Sequence, residues 1–119
     1  MISAGALLGV TGVVLGAWGA HGLAQFLGTP DTGAWSTAVL YHLLHAVMVV
    51  VCGVLALTQN TRWIRFAGVA FVVGILLFSG SLYMLTLGGP RWLGPVTPLG
   101  GVSFILAWSA LCVGAWRCR

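Results

Sequence analysis

Four long apolar runs, parted by three short polar breaks, take up nearly the whole chain. Each run reaches the ~20 mostly apolar residues that a membrane-crossing helix needs. The pattern predicts helices from about Ile2 to Leu27, Trp35 to Thr58, Trp63 to Leu87 and Pro98 to Trp116. Breaks this short make consecutive helices antiparallel neighbours. The expected fold is therefore all-α: a four-span antiparallel transmembrane helix bundle, forming one transmembrane domain over residues 1–119. Two helix starts carry punctuation. Thr97 is placed to cap the fourth helix with Pro98 in its first turn, and Thr29 with Pro30 to open a turn before the second. Asp31, the only acidic residue, then lies near a positive helix end.

Small residues recur within the apolar runs. Gly5, Gly9, Gly12, Gly16 and Gly19 alternate spacings of four and three, which draws one narrow stripe down the first helix. Gly100, Ser103, Ala107, Ala110 and Gly114 repeat the device on the fourth. On the second, Ala38, His42, Ala46, Val49, Gly53 and Ala56 share a face with His45 at its margin. Lipid tails are as apolar as leucine, so close backbone approach through small residues must supply much of the helix–helix contact. These faces predict the bundle interior, or in part a self-association surface, and they point His42 inward.

Composition strengthens the membrane reading. Hydrophobic residues make up 60% of the 119 and charged residues only 5%, against about a quarter in a soluble domain. The net charge of +4 comes from Arg62, Arg65, Arg91, Arg117 and Arg119, all in breaks or at the terminus. With no basic stripe along a helix, nucleic acid is not expected as a partner. The first apolar run has no positive residue before it and is long enough to span, so it is expected to stay as a helix and not to be cleaved as a signal peptide. Four arginines share the face that holds both termini, which by the positive-inside rule predicts cytoplasmic termini in a bacterial inner membrane. Trp63 and Trp116 would mark one interface, and Trp35 and Trp92 the other. Cys52, Cys112 and Cys118 form no CxxC pair, so neither a disulfide nor a zinc site is expected.

The remaining chemistry is a polar layer in one half of the membrane. At ~1.5 Å per residue, His42 and His45 lie roughly 11 and 15 Å below the outer start of the second helix. Ser79, Ser81 and Tyr83 occupy the outer half of the third helix, and Ser79, Tyr83 and Thr86 follow a seam on it. Ser103 reaches a similar level, and Tyr41 and His21 complete the set. Ionisable groups inside a span are costly and raise a functional hypothesis. The leading expectation is that the histidines are neutral, hydrogen-bonded packing residues, because imidazole, serine and tyrosine can satisfy one another. Sharper readings are a His21, His42 and His45 metal site, a bis-histidine haem, a quinone-like ligand, or a proton-coupled transporter. Against the metal, His21 sits about 160° from its helix's glycine stripe. Against transport, no carboxylate lies in a span; against nucleophilic catalysis, Ser79 or Ser81 beside a histidine lacks an acid to orient the base. No cofactor is expected. The predicted role is a non-enzymatic accessory or assembly component that packs against the bilayer, a larger membrane complex or itself.

Four ordered blocks carry a family resemblance: GAWGAHG from Gly16, WSTAVLYHLLHA from Trp35, GILLFSGSLYML from Gly74 and LGPVTPLGG from Leu93. Together they make the chain similar to the YgdD-like small inner-membrane proteins, a family of unknown function whose eukaryotic relatives are small mitochondrial membrane proteins. The resemblance implies a four-helix membrane protein and brings no reaction or ligand with it. Its shared positions fall on His21, Trp35, Tyr41, His42, His45, Ser79, Gly80, Ser81, Tyr83, Thr97, Pro98, Gly100 and Gly101. Relatives can carry glutamine at the position of His42, which suits hydrogen bonding better than metal ligation. The first break is shorter and less charged here than the family pattern.

Overall fold

The computed structural model describes residues 1–28 and 33–118 and is helical throughout, with no strand among the described residues. Its helices are α1 (Ile2–His21), α2 (Leu23–Leu27), α3 (Gly33–Thr58), α4 (Arg62–Gly74), α5 (Gly80–Thr86) and α6 (Val96–Arg117). A π-helical stretch, Ile75–Ser79, joins α4 to α5, so that together they make one span. Four helical segments are thus long and apolar enough to cross a membrane among the described residues. The 26 residues of α3 extend ~39 Å at 1.5 Å each, more than the ~30 Å hydrocarbon core. The expected turn at Thr29 and Pro30, the setting of Asp31 and the terminal Arg119 lie outside the described residues.

Paired neighbours confirm the antiparallel order. Gly5 faces Val50, Gly12 faces Leu43, Gly16 faces Val39 and Gly19 faces Trp35, so α1 runs down α3 on its glycine stripe. Phe71 of α4 lies beside His45 of α3, and Tyr83 of α5 beside Trp35. Trp63 meets Gly114, Gly74 meets Phe104 and Phe78 meets Gly100, which sets α6 along the third span. The core gathers Ala46, Val49 and Cys52 of α3, Ala67, Ala70 and Phe71 of α4, and Phe104, Ala107 and Ala110 of α6. α1 stands at the margin of this three-span core. Only Gly5 and Gly12 are buried on it, while Leu7, Val10, Val13 and Val14 face outward.

The glycine stripe is not uniform. A Cβ at Gly5 would come within 2.8 Å of the Val50 amide nitrogen and 3.0 Å of the Ala46 carbonyl oxygen, whereas one at Gly9 would meet nothing within 4 Å. Gly5→Ala should therefore cost ~1–3 kcal/mol by overpacking. Gly9→Ala should be neutral or slightly stabilising, since alanine is the better helix former. Unfolding in mixed micelles followed by far-UV circular dichroism compares the two. Equal losses would mean that α1 does not pack as described.

Several expectations need correcting. The first helix does not continue to Leu27; it ends at His21, and Gly22, with φ −127° and ψ −24°, breaks it before the short α2. Gly22 also gives room for the Trp18 indole, whose nearest ring atoms would lie 3.0 Å from a Cβ there. The third span is not one regular helix, because the Gly80 amide donates to the Ile75 carbonyl five residues back. Thr97 is not a cap: α6 starts at Val96 with Pro95 before it, so Thr97 sits inside the first turn. Trp35 is no interfacial ring. It is 2% exposed, donates its indole N–H to the Leu15 carbonyl at 2.9 Å, and packs between Trp18 and Tyr83.

Candidate functional site

Helix α3 supplies the centre of the polar layer. His42 and His45 are three residues apart, so they lie on adjacent lines of the same helix and both are buried. Small residues hold neighbours close enough to reach them: a Cβ at Gly12 of α1 would lie 3.3 Å from the His42 Cδ2 atom. The two rings nevertheless turn to different sides. His42 looks towards α1 and α5, whereas His45 looks towards α4 and α6.

Their partners differ in kind. The Thr11 hydroxyl donates its one hydrogen to the Leu8 carbonyl at 3.0 Å, leaving its oxygen to accept from the His42 Nε2–H at 3.3 Å. His42 Nδ1 pairs with the Tyr83 hydroxyl at 2.9 Å, a group that can donate or accept. At His45 the partners fix the tautomer. A carbonyl can only accept, so the 2.7 Å contact with the Tyr41 oxygen requires hydrogen on Nδ1. An indole can only donate, so the Trp108 Nε1–H at 3.2 Å requires a bare Nε2. The His45 ring is therefore neutral, and each ring has both nitrogens engaged. His45 is also clamped by stacking on Phe104, with ring centroids 3.7 Å apart and planes 10° apart.

The hydroxyl groups are satisfied separately. Ser79 donates to the Ala38 carbonyl at 2.7 Å, and Ser103 to the Ala70 carbonyl at 2.7 Å. Ser81 donates to the Phe78 carbonyl and pairs with the Thr97 hydroxyl, tying α5 to the first turn of α6. Thr86 turns back onto the Leu82 carbonyl of its own helix. Tyr41 is 38% exposed and contributes its ring, which packs on Phe78 and Phe104, and its backbone carbonyl. His21, the last residue of α1, is exposed and stands apart from the other two histidines. Among the described residues no group of three or more histidine, cysteine or acidic side chains is placed to hold a metal ion. Cys52 is buried in the core, and Cys112 and Cys118 are exposed free thiols.

The layer is thus a set of local pairings that stitch helices together. No serine reaches a histidine, and among the described residues no buried side-chain nitrogen or oxygen lacks a partner. Sequence reasoning missed three contributors. Thr11 of α1 and Trp108 of α6 supply the far partners of the two histidines, and Thr97 supplies that of Ser81. The available signal was depth, since Thr11 and Trp108 fall mid-span opposite α3.

Comparison with known proteins follows the same residues. The family model described as "Protein of unknown function (DUF423)" matches residues 15–101, which include both histidines, the π-helical stretch and the start of α6. The chain belongs to the DUF423 family. Among its relatives, the UPF0382 membrane protein YwdK of Bacillus subtilis is 41% identical over 112 residues, covering 93% of this chain and 91% of the relative. The UPF0382 inner membrane protein YgdD of Escherichia coli is 36% identical over all 119 residues, covering 91% of the relative. The UPF0382 membrane protein SH2409 of Staphylococcus haemolyticus is 37% identical over 113 residues, with 95% and 92% covered. No solved structure matches the chain. This DUF423 member is a small multi-pass protein of the bacterial inner membrane.

Proposed function

We propose that this DUF423 protein is a non-enzymatic accessory or assembly component of the inner membrane, with both termini in the cytoplasm, that packs against itself or a larger membrane complex. One observation carries the reading: the intramembrane polar groups spend their hydrogen bonds on one another and on backbone carbonyls. Both imidazoles have both nitrogens engaged, and the buried serines are tied to backbone carbonyls or Thr97. Such a layer positions helices and leaves no base free for a substrate. The orientation is supported by charge, since Arg62, Arg65, Arg117 and Arg119 collect at the end that holds the termini.

A fluorescent protein fused after Arg119, of a type that matures only in the cytoplasm, tests both parts. Fluorescent cells are expected, as is a defined assembly well above the 12.4 kDa chain plus its tag after extraction in mild detergent. A dark fusion of normal abundance would overturn the orientation. A solitary chain in every mild detergent would overturn the accessory role.

A further inference from the structure

The strongest unassigned feature lies at the opposite end of the spans from the α2–α3 connection. Arg62 opens α4 and Arg117 closes α6, so they come from helices that are neighbours in space but distant in sequence. Both turn towards one indole. The Arg62 guanidinium carbon lies 5.3 Å from the Trp63 ring centroid and that of Arg117 lies 5.4 Å from it. Trp63 is wedged into this seam by Gly114, where a Cβ would stand 3.1 Å from that of the tryptophan. Arg65 follows Arg62 by three residues on the same side of α4. A recess of about 350 Å³ is lined by Arg62, Trp63 and Phe66, and Phe66 points outward from the apolar part of the span.

Charge decides what fits. The chain has five arginines and one acidic side chain, Asp31, which falls between α2 and α3, whereas Arg62 follows the other end of α3. Arg62, Arg65 and Arg117 therefore form a cationic cluster for which the fold provides no local carboxylate side chain. Guanidiniums match phosphate oxygens with paired N–H donors. The recess runs from Arg62 onto an exposed phenylalanine, with Arg117 drawn to the same indole, so an anionic head and an apolar tail are accommodated together. An indole at this level suits the boundary between headgroups and hydrocarbon.

We propose that this recess binds an anionic phospholipid, with Arg62 and Arg117 holding its phosphodiester and Trp63 and Phe66 flanking the start of an acyl chain. Arg65 adds attraction from the rim. The site holds its lipid whichever way the termini face.

The purified full-length protein, in a neutral detergent, is titrated with phosphatidylglycerol or with phosphatidylcholine, and bound lipid is read by native mass spectrometry. Phosphatidylglycerol should bind preferentially, and the R62Q/R117Q variant should lose about thirtyfold in affinity, at roughly fivefold per arginine. Arg91→Gln, at the far end, should bind as the original chain does. Should the double variant fail to fold by circular dichroism, R117Q alone serves, with about a fivefold loss expected. Equal binding of the two lipids would overturn the proposal. So would unchanged phosphatidylglycerol binding in the arginine variants, or full displacement by millimolar inorganic phosphate, which would mark a site for free anions.

Discussion

Gly100→Ala should be among the most damaging single changes in this protein, costing ~3 kcal/mol or more, while Gly101→Ala one residue later should cost almost nothing. A Cβ at Gly100 would stand 2.7 Å from the Cα of Phe78 and as close to its Cβ, with the Phe78 amide nitrogen nearer still. These are backbone atoms of the π-helical stretch, so no rotamer change relieves the clash, and overpacking of this kind reaches the upper end of the usual range. A Cβ at Gly101 would find nothing within 4 Å. Moving α6 outward to make room would also stretch the Ser81–Thr97 pair and the Ser103 bond to Ala70. Reversible unfolding in mixed micelles, with the two variants side by side, reads the difference. Equal stability of the two would remove α6 from its described seat on the third span.

The second large effect is expected at His45. His45→Ala removes a ring stacked 3.7 Å from Phe104 and leaves the Trp108 N–H without its acceptor. Truncating a buried aromatic ring costs ~3–5 kcal/mol, and a lost interhelical hydrogen bond adds ~0.6–1.7 kcal/mol. His45→Phe should recover most of the first part and none of the second, leaving a deficit of ~1 kcal/mol. Adding Trp108→Phe to His45→Phe then separates the terms. If the hydrogen bond is the only coupling, the double variant is less destabilised than the sum of the singles. Strict additivity would mean that the His45–Trp108 contact contributes nothing to stability. A variant such as His45→Phe that folds and still enters its membrane assembly also supports a packing role for the ring.

The four spans were legible because length and hydropathy alone specify them: with 60% apolar residues and one acidic side chain, no other architecture buries the chain. The small-residue faces were legible for a related reason. Gly5 of α1 and Gly100 of α6 sit where backbones approach, and Gly12 and Gly16 where side chains of α3 press in, and only spacing was needed to see them. What stayed hidden was anything set by the partner helix. Trp35 reads as an interfacial ring, yet it spends its N–H on Leu15, and Trp108, mid-span, spends its own on His45. Thr97 carries the signature of a cap, but α6 begins one residue earlier and Ser81 takes its hydroxyl. The π-helical stretch has no mark of its own, since Ile75–Ser79 reads as ordinary apolar helix. That His42 and His45 are buried within a span was legible, while the turning of their rings towards different helices depended on Tyr83 and Trp108.

The wide turn at Ile75–Ser79 has a consequence for how this chain tolerates insertions and deletions. It accommodates about one residue more than a regular helix would over the same rise. Rewinding it as ordinary α-helix with the same number of residues would swing everything downstream by ~100°. Ser81 and Tyr83 would be carried round to the lipid and away from Thr97 and His42. The stretch thus absorbs one surplus residue within the span, so that excising one residue there, with a return to ordinary winding, should keep the two halves in phase.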